Sequence, residues 1–128
     1  EALDRRLGRP LSRSKGLIIG LAYKKNVPDI RESPSLRLME LLLERGADVS
    51  YHDPFIAEVP RTREYGHLKG RRSVDLSPEA LAGFDAVVIA TDHDRIDYAA
   101  LAEASSLIVD TRNIFARRAI VSDKVVKA

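Results

Sequence analysis

Residues 16–54 read GLIIGLAYKKNVPDIRESPSLRLMELLLERGADVSYHDP, and the fold turns on how this stretch is parsed. Leu17-Ile18-Ile19 is a short apolar run closed by Gly20, suited to a buried strand over 17–20. Ser33 can cap a helix, and Pro34 can take the first helical position, where its missing N–H costs nothing. Leu36, Met39, Leu42 and Leu43 recur at helical spacing over 34–45, and Gly46 supplies a left-handed stop. Val49 and Tyr51 then alternate with polar residues, which predicts a second strand over 48–53. The unit is β-loop-α-β. Its loop carries Tyr23, Lys24, Lys25 and Arg31 at the C-terminal end of the first strand. Ligands of open α/β sheets bind along that edge, so the loop reads as an anion site for a nucleotide diphosphate.

Downstream, Pro54, Pro60, Gly66 and Gly70 punctuate a polar excursion, with a short strand expected around 71–74. Ser77-Pro78 heads a brief helix that Gly83 ends. Asp85-Ala86-Val87-Val88-Ile89-Ala90 reads as a strand whose continuous β-branched run is of the kind that parallel strands buried on both faces show. A helix over 97–104 and a strand over 107–110 follow, and the tail around 119–121 admits either an edge strand or a turn of helix. Strands alternating with helices predict an α/β, Rossmann-like three-layer domain with a mainly parallel sheet.

The 128 residues suit one domain with a substantial core. The net charge of +2 is too small to point to nucleic acid, and it is unevenly placed. Arg5, Arg6, Arg9, Arg13 and Lys15 outweigh Glu1 and Asp4 in the first fifteen residues, a basic stretch that reads as a solvated leader. The sequence holds no cysteine, so it offers no disulfide, thiolate ligand or cysteine nucleophile. No apolar stretch reaches membrane-spanning length and no signal-peptide core opens the chain. The start, at Glu1-Ala2-Leu3, resembles the last turns of a helix closed by Gly8 and Pro10. On that reading residues 1–15 end a connecting helix and linker, and 16–128 form a domain cut from a longer protein.

Polar residues gather at three strand ends: Tyr23-Lys24, Thr91-Asp92-His93, and Asp110-Thr111-Arg112-Asn113. Parallel strands would align them, letting Lys24, Arg31 and Arg112 converge on a pyrophosphate, arginine as a bidentate fork and lysine as a point charge. The opposing reading makes each a surface cation. Tyr23 is placed to border a base or sugar. A G-x-G-x-x-G dinucleotide turn is absent, and Asp53 reads as a turn residue before Pro54 rather than a ribose ligand. A receiver domain would need an acidic pair where this chain has Leu21-Ala22-Tyr23. His52, His67 and His93 lack paired-ligand spacing, so no metal is expected. His93 reads as a cap or a solvated residue more readily than a ligand contact, and Glu40 with Glu44 as a solvated helix face.

The segments G-L-A-Y-K-K-N-V-P-D-I-R-E-S-P-S-L (20–36), G-A-D-V-S-Y-H-D-P (46–54), F-D-A-V-V-I-A-T-D-H (84–93) and V-D-T-R-N (109–113) occur in this order. Together they resemble the C-terminal, UDP-binding domain of the UDP-glucose/GDP-mannose dehydrogenase family. The A-Y-K opening and the Y-H-D-P pattern are most similar to members acting on UDP-N-acetylhexosamines, such as UDP-N-acetylglucosamine 6-dehydrogenases. The resemblance implies an NAD-dependent oxidation of the sugar C6 from alcohol to carboxylate in two steps, through a thiohemiacetal on a cysteine. It implies that Tyr23 and Lys24 contact the UDP-sugar, that Arg112 does so too, in some dimers from the neighbouring subunit, and that Arg31 reaches the NAD cofactor. Pro28 stands where many members have the first of two acids, which weakens any role for the acidic pair. The resemblance also implies separate N-terminal and central domains holding NAD and the cysteine, a homodimer, a cytoplasmic enzyme of polysaccharide biosynthesis, and no catalytic residue within these 128. The alternative is a free-standing nucleotide-binding or regulatory module, and a third reading is a dimerisation domain.

Overall fold

The five strands found among the described residues all run the same way. The computed structural model describes residues 14–22, 26, 33–62 and 65–127. Strands β1 (Lys15–Ile19), β2 (Asp48–His52), β3 (Ala86–Ile89), β4 (Ile108–Asp110) and β5 (Val125–Lys127) form one sheet in the order β2-β1-β3-β4-β5. All four pairings are parallel. Helices α1 (Pro34–Glu44), α2 (Pro78–Ala82), α3 (Tyr98–Ala104) and α4 (Ile114–Arg117) connect them.

Side-chain alternation along β1 sets the layers. Ile18 packs with Val49, Tyr51, Leu36 and Met39 on the α1 face. Leu17 and Ile19 pack on the other face with Val87, Ile89, Leu81, Leu101 and Phe115, beneath α2, α3 and α4. All of these are buried, and each contributes about 1.5–3 kcal/mol relative to an exposed side chain. The α/β, Rossmann-like three-layer expectation therefore holds, with a sheet that is wholly parallel in its named strands.

Helix α1 has the boundaries its sequence prescribes. The Ser33 hydroxyl accepts the Ser35 N–H, Pro34 opens the first turn, and Gly46 lies at φ +87°. The Gly46 and Ala47 N–H groups return to the Leu43 and Leu42 carbonyls, a Schellman ending. Asp97 and Ser77 cap α3 and α2 in the same manner as Ser33, each accepting a first-turn N–H.

Two expectations shift. The strand expected near 71–74 reduces to single bridges, Arg72 to Glu58 antiparallel and Ser73 to Tyr51 parallel. That segment follows the edge of β2 only as far as the Val74 N–H to Tyr51 carbonyl bond before it leaves for the Ser77 cap. In the tail both alternatives occur, but around residues 119–121 rather than in them. Helix α4 precedes them, Ala119 takes φ +56°, and β5 follows as the edge strand.

Candidate functional site

The C-terminal ends of β1, β3 and β4 lie side by side, because the register aligns Ile19 with Ile89 and Ile89 with Asp110. The polar residues after these strands therefore share one edge. What holds the edge together is a set of buried hydrogen bonds, centred on residues read from sequence as turn or solvent positions.

Asp53, at the end of β2, is 2% exposed. Its Oδ2 accepts the Leu21 N–H at 2.8 Å and the Ala22 N–H at 3.1 Å, and its Oδ1 accepts the Phe55 N–H at 2.8 Å. The expectation of a turn residue is right for Phe55 but incomplete, since the same carboxylate ties down the exit of β1. His93 corrects its expectation more fully. Far from solvated, it is completely buried, and Nε2 sits 2.9 Å from Asp53 Oδ2. Its Nδ1 accepts the Asn26 N–H at 2.7 Å, so that nitrogen carries no proton and Nε2 is the donor to Asp53. The Phe55 ring lies tilted against it at 5.0 Å, and the Tyr98 hydroxyl donates to its carbonyl at 2.7 Å. Burial pushes the Asp53 pKa up, but the hydrogen bonds from His93, Phe55 and Leu21 outweigh it and hold the carboxyl below its ordinary value.

The exit of β1 is pinned from other sides as well. Gly20 takes φ +93°, and a Cβ there would meet the Thr91 Cβ at 2.4 Å, so the ends of β1 and β3 approach more closely than any side chain permits. The Thr91 hydroxyl donates to the Ala22 carbonyl at 2.8 Å, and the Ser33 hydroxyl to the Leu21 carbonyl at 2.6 Å. Asn26, at φ +64°, donates from Nδ2 to Asp94 Oδ2 and accepts the Asp94 N–H on Oδ1. Tyr23, Lys24 and Arg31 lie outside the described residues. The chain on both sides of Tyr23 and Lys24 is fixed, at Ala22 and at Asn26.

Arg112 is described, and it is exposed at the same edge. Buried Asp110 builds its turn, Oδ1 accepting the Arg112 N–H at 3.0 Å and Oδ2 the Phe115 N–H at 3.0 Å. The Arg112 side chain donates from Nε to the Ala90 carbonyl at 2.9 Å. Among the described residues its terminal guanidinium nitrogens make no hydrogen bond and no carboxylate pairs with it. The neighbouring arginines differ, with Arg117 on Asp92 at 2.5 Å and Arg118 on Asp94 at 3.1 Å. Arg112 thus presents its two terminal guanidinium nitrogens at this edge without a partner among the described residues. Glu40 is another departure from sequence expectation: it pairs with Arg37 and lies 3.2 Å from His67 Nε2, so half of the presumed solvated face is engaged.

The three described N–H groups directly after β1 are already engaged, Gly20 by the His52 carbonyl and Leu21 with Ala22 by Asp53, so these three offer nothing to a pyrophosphate. A carboxylate of the chain itself occupies the anion position. Asp53, His93 and Asn26 were missed as a group because positions so far apart share no local pattern. The one sequence signal was their presence at the ends of three different strands.

The sequence model described as the UDP-glucose/GDP-mannose dehydrogenase family, UDP binding domain, matches residues 17–117. The chain is 37% identical over 106 residues to a UDP-glucose 6-dehydrogenase of Haloferax volcanii, covering 79% of this chain and 23% of that protein. It is 34% identical over 112 residues to a UDP-N-acetyl-D-mannosamine dehydrogenase of Methanococcus maripaludis, covering 81% and 24%. The solved structure of a UDP-glucose dehydrogenase from Pyrobaculum islandicum superposes with a TM-score of 0.70 at 32% identity, over 94% of this chain and 27% of that one. The chain therefore spans about a quarter of the length of these relatives. The match over residues 17–117 places the chain in the UDP-glucose/GDP-mannose dehydrogenase family, as its UDP-binding domain.

Proposed function

We propose that the chain recognises the sugar nucleotide within an NAD-dependent UDP-sugar 6-dehydrogenase, with residues 16–128 as the recognition domain. In this reading the substrate is a UDP-N-acetylhexosamine, oxidised at C6 from alcohol to uronate with two NAD reduced. Tyr23 and Lys24 contact the substrate, Arg112 contributes a bidentate fork to it, and Arg31 faces the cofactor. NAD is held mainly by another domain, in keeping with the β1 exit, whose N–H groups are already taken. Catalysis likewise needs groups from outside, since the sequence has no cysteine. A homodimer in the cytoplasm completes the proposal.

The family match over residues 17–117 carries this reading. The Arg112 guanidinium, held through Nε on the Ala90 carbonyl with its terminal nitrogens unbonded among the described residues, lies on the edge where α/β sheets bind ligands and agrees with it. What the domain can do chemically is bind and orient. Lys24 and Arg112 offer charge-assisted donors to phosphate or sugar oxygens, and the turn that Asp110 builds holds the Arg112 backbone in place before binding.

Steady-state kinetics on the full-length dehydrogenase test it. Lys24→Ala and Arg112→Ala should each lose about 1.5–3 kcal/mol of charge-assisted bonding, or roughly 10- to 150-fold in kcat/KM for the UDP-sugar. Lys15→Ala, exposed at the opposite end of β1, should change nothing. Arg31→Ala should raise the KM for NAD more than that for the sugar nucleotide. An unaltered kcat/KM in Lys24→Ala would leave that residue a surface cation and remove the loop from the site.

A further inference from the structure

The apolar cluster beneath α2 and α3 draws residues from β1, β3 and β4 but none from β2. Val49 and Tyr51 of β2 pack on the α1 face, so by alternation His52 faces the side of α2 and α3. There it borders a cavity of about 430 Å³, lined by the starts of both helices. That volume is in the range of small-molecule sites. Leu76, Leu81, Ala100 and Leu101 supply apolar walls, and His52, Asp75, Ser77, Arg95 and Asp97 supply polar ones.

The polar groups keep bonding capacity to spare. His52 Nδ1 lies 2.7 Å from the Val74 carbonyl and so carries the proton, which leaves Nε2 of the neutral ring as an acceptor. Asp97 spends Oδ1 on the Ala100 N–H and keeps Oδ2. Asp75 is exposed and forms no ion pair among the described residues. Arg95 also pairs with no carboxylate among them. Its guanidinium carbon sits 4.9 Å from the Phe55 ring centroid, so stacking holds a group that would otherwise sweep through solvent.

This inventory selects a ligand. Two carboxylates against one guanidinium leave the cavity negative, which disfavours a phosphate. Acceptors outnumber donors, which favours a ligand with N–H groups to give. The leucine walls suit the faces of a flat ring, and a two-ring base fills the volume better than a single ring.

We propose that this cavity binds an amine-bearing purine of the adenine type, presented as an uncharged nucleoside. The exocyclic amine donates to the acceptors Asp75, Asp97 and His52, a ring nitrogen accepts from Arg95, and the leucines cover the ring. The site is independent of where the sugar nucleotide binds.

Adenosine, inosine and AMP, titrated separately into the chain and followed by amide chemical shifts, test it. Adenosine should give saturable shifts at about millimolar concentration, centred on His52, Ser77, Arg95 and Ala100. Inosine has a carbonyl oxygen in place of the amine and turns an acceptor toward the carboxylates, so it should bind at least about 5-fold more weakly. AMP should also bind more weakly than adenosine, which separates a nucleoside ligand from a nucleotide. Ala100→Leu places a larger side chain in the cavity from an exposed position on α3 and should abolish binding. Arg95→Ala should weaken adenosine about 3- to 10-fold. Both variants should melt near wild type, since neither residue is buried. No saturable shift with adenosine, equal binding of inosine, tighter binding of AMP, or wild-type affinity in Ala100→Leu each overturns the proposal.

Discussion

Gly20 shows how much of this edge depends on single atoms. At φ +93° any L side chain is strained, and the missing Cβ leaves room for Thr91, which would otherwise lie at 2.4 Å. The hydroxyl of that threonine then reaches the Ala22 carbonyl. Gly20→Ala should therefore destabilise the chain by about 2–5 kcal/mol, combining left-handed strain with overpacking. Gly16→Ala is the control, since a Cβ there meets nothing within 4 Å. Thermal melts of the two variants check this, and equal melting temperatures would mean that β1 and β3 do not approach as described. Gly20 was legible in the sequence as the end of a strand. Its reason was not, because the atom it avoids belongs to a residue far along the chain. Arg112 was more legible, since a D-x-R turn at a strand end is local, and Asp110 does fold back on the Arg112 N–H.

At the scale of elements, short-range chemistry and long-range pairing separate cleanly. The caps of α1, α2 and α3 lie within three residues of the N–H groups they accept, so Ser33, Ser77 and Asp97 mark helix starts that a reader of sequence can find. The bonds joining the strand ends do not obey local spacing, and Asp53 and His93 accordingly read as a turn residue and a solvated one. Their pairing makes a testable demand on pH. The folded-state pKa of Asp53 lies below its ordinary value of 3.8. The stability that the carboxylate contributes is then fully present above about 3.8 and is lost as pH falls through the lower, folded value. Asp53→Asn, which removes the charge but keeps the shape, should cost about 1.5–3 kcal/mol near neutrality. It should also flatten the fall of stability in the acid range. Denaturant melts from pH 2 to 7 on both proteins would measure this, and parallel acid limbs would show that another group governs the acid transition.

At the scale of the whole molecule, the sheet was legible because every connection signals its own direction. A helix between consecutive strands forces parallel pairing, and continuous apolar runs at β1 and β3 place both at the sheet centre, where order β2-β1-β3-β4-β5 has them. The excursion over 54–74 was not legible beyond its punctuation, because it is held by one isolated bridge to β2, one bridge within itself and a single 3-10 turn at Gly66–Leu68. The chain spans about a quarter of the length of its relatives, it has no cysteine, and its Leu21 and Ala22 N–H groups after β1 are already bound to Asp53. Purified alone and mixed with UDP-sugar and NAD, it should form no NADH, and steady absorbance growth at the NADH band would contradict the division of labour proposed here. The central claim is that the sugar nucleotide binds where β1, β3 and β4 end. Amide chemical-shift mapping of the chain with UDP tests it most directly, even at an affinity no better than roughly millimolar, near −4 kcal/mol. Perturbations should centre on Ala22, Asn26, the Thr91–Asp94 turn and Arg112. Shifts confined to Lys15, Asp48 and Asp85 at the opposite end of the strands would contradict it.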